Sequence, residues 1–80
     1  MNLDGADWLP LVGSVEVIVR DWRPVSIHGD RYLDLLVSPD DRPPIPLRVP
    51  ATACATSPTA GARVRLTLLM RQVERVELLD

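Results

Sequence analysis

The chain contains one cysteine, one histidine, one tyrosine, two tryptophans and no phenylalanine or lysine among its 80 residues. Each shortage excludes something. Cys54 alone forms no internal disulfide, and with His28 it falls short of the three or four ligands of a usual zinc site. No apolar run approaches the roughly 18 residues of a membrane span, because Arg, Asp, Glu or Pro interrupts every one. The first residues carry Asp4 and Asp7 and have no basic start, which excludes a signal peptide and points to the cytoplasm. A nucleophile needs a base and an orienting group beside it. Here His28 stands on a turn between Ile27 and Gly29, Cys54 lies among small residues, and no Gly-rich phosphate loop occurs. The chain therefore reads as no enzyme, with no cofactor and no metal.

What is present is a folded composition, 46% hydrophobic and 25% charged. That describes one small globular domain with a thin stability margin. All nine basic residues are Arg. A GC-rich genome accounts for this, and so does phosphate and base recognition, which suits the guanidinium fork better than an ammonium. Residues 1–41 carry eight acids against three Arg, a net of −5, and residues 42–80 carry six Arg against three acids, a net of +3. The sum of −2 argues against strong non-specific nucleic-acid binding.

Five alternating apolar runs fill the chain after an N-terminal arm of residues 1–10, in which Leu3, Trp8 and Leu9 are placed to tuck against the domain formed by residues 11–80. The first run, Leu11 to Trp22, alternates Val15, Val17 and Val19 with Glu16, Ile18 and Arg20, with Gly13 available for a bend. Arg23-Pro24 breaks it, and a loop of moderate length through His28-Gly29-Asp30 is expected. The second run sets Leu33, Leu35 and Val37 against Tyr32, Asp34 and Leu36 and closes on the turn Ser38-Pro39-Asp40-Asp41. The third, Ile45 to Val49 behind Pro43-Pro44, is short and partly at an edge because Pro46 and Pro50 donate no ladder hydrogen bond. Ala51 to Ala60 forms a short helix or loop that Pro58 ends. In the fourth run Val64, Leu66, Leu68 and Met70 face one way and Arg63, Arg65, Thr67, Leu69 and Arg71 the other. A tight connection near Arg71-Gln72 leads to the fifth, Val73 to Leu79.

Three strands, a short helix or loop, then two strands introduced by Gly61 resembles the oligonucleotide/oligosaccharide-binding (OB) superfamily over Leu11 to Leu79. The fold class is thus all-β, a small five-stranded OB-like barrel closed so that no edge remains. An SH3-like barrel with Pro43 to Pro50 as a linker is the competing arrangement. The resemblance implies single-stranded nucleic acid, DNA or RNA, bound across the second and third strands and gripped by the loops after strands one and four.

With the valines and leucines of the first three strands inward, alternation sends Arg20, Trp22, Tyr32, Leu36 and Arg48 outward. Stacking on an aromatic ring contributes about 1–3 kcal/mol per base and Arg adds phosphate pairing, so Arg20, Trp22, Arg31, Tyr32, Arg48 and Arg65 are the candidate nucleic-acid contacts. Each has a plainer role: Trp22 packing over the barrel end, Tyr32 as a cross-strand partner, the Arg residues as solvated strand faces. Asp34 and Glu16 on the same face would repel phosphate. The alternative function is a protein-interaction subunit, docking on a larger partner or forming a homodimer through outward apolar residues, Ile18, Leu36 and Leu69 with Leu79.

Overall fold

The computed structural model describes residues 8–55 and 57–79. Leu3 and most of the expected arm lie outside them. The fold is all-β: β1 (Gly13–Ile27), β2 (Asp30–Ser38), β3 (Ile45–Pro50), a single 3-10 turn at Ala51–Ala53, β4 (Arg63–Leu69) and β5 (Gln72–Leu78). All pairings are antiparallel, and the strands lie side by side in the order β3-β2-β1-β4-β5.

β1 is longer than its apolar run. It continues through Arg23 and Pro24 to Ile27, and the connection to β2 is the two-residue turn His28-Gly29, both at positive φ (51° and 86°). The expected moderate loop is absent because Pro24 is tolerated. β4 pairs with β1 only as far as Ile18, so the second half of β1 has one free side on which a missing N–H costs no ladder bond. At Arg20 the β1–β2 register slips by one residue, Val19 pairing with Val37 and Asp21 with Leu36. This bulge bends β1 so that its first half serves β4 and its second half β2.

The inner face carries the core. Val17, Val19, Leu33, Leu35, Val37, Ile45, Val49, Val64, Leu66, Leu68, Val73 and Val76 are buried, with Trp8, Leu9, Val15, Trp22, Leu47 and Cys54 packed against them. Trp8 and Leu9 thus cover the core as the arm was expected to. Met70 is a correction, since it is 68% exposed in the β4–β5 turn. Met70 and Arg71 occupy that turn at φ 55° and 66°.

β1 pairs with β4 from Gly13 opposite Leu68 to Ile18 opposite Arg63. Ile45–Pro50 is a strand on β2, so it is not the linker of an SH3-like arrangement. Full closure does not occur. Among the described residues the edge strands β3 and β5 are not paired, and the one isolated parallel bridge to β5 comes from Cys54, after the 3-10 turn, to Val76. Pro46 and Pro50 sit in register with Leu36 and Tyr32. Prolines survive in a strand only with the N–H position turned from the ladder, which strips donors from the side that would have met β5.

Candidate nucleic-acid interface

The outer face of β1, β2 and β3 is a grid set by the ladder. Asp21, Leu36 and Pro46 form one row; Arg23, Asp34 and Arg48 the next; Val25, Tyr32 and Pro50 the third. The middle row is charged and internally paired. Arg48 donates from Nε to Asp34 Oδ1 at 2.7 Å and from Nη2 to Oδ2 at 3.0 Å. These hydrogen bonds first, then the charges of Arg48 and Arg23, hold the Asp34 carboxyl below its usual range, and Asp34 in turn raises Arg48. Arg48 is therefore on the expected face but engaged.

Most other arginines on the sheet are engaged as well. Arg20, the extra residue of the bulge, donates from Nε to Ser38 Oγ at 2.8 Å, and Ser38 is fully buried. Arg65 pairs with Glu16 at 3.3 Å and Arg63 with Asp40 at 3.3 Å, both exposed. Arg23, Arg31 and Arg71 make no ion pair or side-chain hydrogen bond among the described residues.

Trp22 is not on the outer face. The slip at Arg20 shifts the alternation by one, so Trp22 pairs opposite Leu35 and packs partly buried against the core. Strict alternation had placed it outward, and a bulge is invisible to a period of two. Tyr32 keeps its outward register between Val25 and Pro50. Leu36 is on that face at 37% exposure, Ile18 is half-buried one strand over, and Leu69 lies at the far end of β4 from the Arg63 that faces Ile18.

Two adjoining depressions of about 580 and 530 Å³ share Tyr32, Pro50 and Thr52. Together they form a groove over the β3 edge, from Gly29, Asp30 and Arg31 at the β1–β2 hairpin to Arg71 and Glu74 at the β4–β5 end. Arg48 lines its middle. Among the candidates, then, Arg31, Tyr32 and Arg48 come together, while Arg20 and Arg65 are held elsewhere. Arg71, in the β4–β5 turn, lines the groove without being one of the candidate contacts that alternation singles out.

Leu69 belongs to a separate apolar corner. Leu11 O accepts from Arg71 N at 2.8 Å and Gly13 pairs with Leu68, which runs Leu11 and Val12 alongside Leu69 and Met70. All four are more than half exposed.

Among the described residues no cluster of His, Cys, Asp or Glu is arranged to hold a metal, and no helix is long and apolar enough to cross a membrane. No family model matches the chain, and comparison with curated proteins and with solved structures returned no match.

Proposed function

We propose that this protein is an OB-type module of the cytoplasm that binds single-stranded nucleic acid along the groove over the β3 edge. One observation carries the reading: Arg31 and Arg71, neither of which makes an ion pair among the described residues, stand at opposite ends of a groove that passes Tyr32 and Arg48. A backbone laid along it meets a cation at each end and an aromatic ring between, the combination that sequence-tolerant single-strand binding uses. With one Tyr and few free cations, binding is modest and strongly salt-dependent. Titration of a fluorescein-labelled dT12 oligonucleotide at low salt tests it: binding weakens as salt rises and is lost in Arg31→Ala/Arg71→Ala. Undiminished binding by that double variant, or none by the native chain, rejects the groove.

The apolar corner favours a second reading, self-association. Leu11, Val12, Leu69 and Met70 place four large apolar side chains in one exposed region, the kind of surface that marks a partner interface. A homodimer would also double the scarce aromatic residues. Sedimentation at micromolar to millimolar concentration gives a strict monomer if this reading is wrong.

A further inference from the structure

A single 3-10 turn, Ala51–Ala53, follows β3, and none of its residues is buried. A cleft of about 520 Å³ opens there between the inner side of the β1–β2 hairpin and the segment after β3. Trp22, Leu33, Cys54 and Ala55 give it an apolar lining, and Arg31 and the hydroxyl residues Ser26 and Ser57 add polar groups. Among the described residues no carboxylate lines it, and Arg31 makes no ion pair. Its volume is within the range of small-ligand sites.

A site with an aromatic ring in its wall, hydroxyls beside it and a lone guanidinium is complementary to a flat ring that carries an anion. Arg31 and Tyr32 line both this cleft and the groove over β3. A strand lying in the groove thus reaches the cleft at Arg31 without leaving the protein surface. We infer that the cleft receives one nucleotide, its base against Trp22 and its phosphate on Arg31, and that in a bound single strand this is the terminal nucleotide. The inference rests on the nucleic-acid reading for its second half only, since a free mononucleotide has the same chemistry.

Cys54, the only cysteine, lies in the cleft wall and reports on occupancy. Alkylation of Cys54 by iodoacetamide is followed with thymidine 5′-monophosphate, with thymidine and with inorganic phosphate, alongside amide chemical-shift mapping in ¹⁵N-labelled protein. The mononucleotide is expected to slow alkylation at least threefold and to shift Cys54, Ala55, Ser57 and the Trp22 indole. Thymidine and phosphate should each do less. Ala55→Leu, which fills the cleft from an exposed position and leaves the core intact, should abolish the protection while its unfolding midpoint stays near native.

Undiminished protection in a folded Ala55→Leu variant, or mononucleotide shifts confined to other surfaces, overturns the site. A 5′-phosphorylated dT12 that protects Cys54 more than a circular strand of the same length assigns the terminal nucleotide; equal protection by both overturns that half. If the mononucleotide protects Cys54 while dT12 does not bind, the cleft stands and the groove fails. If dT12 binds through Arg71 while Cys54 stays reactive, the groove stands and the cleft fails.

Discussion

Arg48 and Asp34 face each other across the β2–β3 ladder and are joined by two hydrogen bonds, one at 2.7 Å and one at 3.0 Å. A bidentate pair of this geometry occupies the guanidinium edge that a phosphate would otherwise use. The Arg48 guanidinium at the centre of the outer face is thereby occupied by the protein itself, whereas Arg23, Arg31 and Arg71 make no ion pair among the described residues.

Asp34→Ala should release Arg48. The expected result is tighter binding of dT12 at low salt, by about threefold to tenfold, with a salt dependence steeper by roughly 0.7 in log–log slope for one additional phosphate contact. Fluorescence anisotropy across a salt series measures both quantities. An unchanged slope would show that Arg48 does not reach the strand even when free.

The same pair predicts a pH effect on stability. The folded-state pKa of Asp34 is lowered from its ordinary 3.8, chiefly by the hydrogen bonds from Arg48. A depressed carboxylate contributes stability that is complete above the ordinary value and lost as pH falls through the lower, folded one. Both partners are solvent-exposed, so the contribution is small. Urea unfolding of Asp34→Asn should be less acid-sensitive than that of the native chain below about pH 4; parallel curves would sink the assignment.

Arg71→Gly should move stability and binding in opposite directions. Met70 and Arg71 both hold positive φ in a two-residue hairpin turn, where Asn-Gly is the favoured pair. Glycine relieves a left-handed strain of about 1–2 kcal/mol and so raises the unfolding midpoint. It also removes the cation at one end of the groove, so dT12 binding should fall by about threefold or more. Thermal melts and anisotropy on one preparation decide the matter.

Arg20→Ala tests whether Arg20 is structural. Its Nε supplies the hydrogen bond to the buried Ser38 hydroxyl, and removing it leaves that oxygen unpaired at a cost of about 1–3 kcal/mol. Stability should drop while dT12 affinity at low temperature stays within twofold of native. A large loss of affinity in the folded variant would return Arg20 to the nucleic-acid surface.

Leu35→Ala and Leu66→Ala open cavities where side chains are almost wholly buried, on β2 and β4. Each should cost about 2–5 kcal/mol. In a domain of 80 residues that is a large part of the total margin. Far-UV circular dichroism during a thermal ramp should show midpoints well below native, whereas Leu69→Ala, on the exposed corner, should change little.

The alternation of Val17, Val19, Leu33, Leu35, Val37, Val64, Leu66 and Leu68 is a local signal, because side chains on a pleated strand alternate faces whatever the strand pairs with. Alternation therefore located the five strands and most of their inner faces, and the prolines of β3 marked it as an edge strand. Alternation also placed Tyr32 and Arg48 on the outer side. The rest followed from contacts between strands. The bulge at Arg20 turned Trp22 inward, the free side of β1 let the strand run through Pro24 to Ile27, and cross-strand neighbours tied Arg48 to Asp34 and Arg65 to Glu16. Register slips and ion pairs depend on which residue comes opposite which, and that is set by pairing between segments far apart in the chain. Which arginines remain free for a ligand is a consequence of the same pairing.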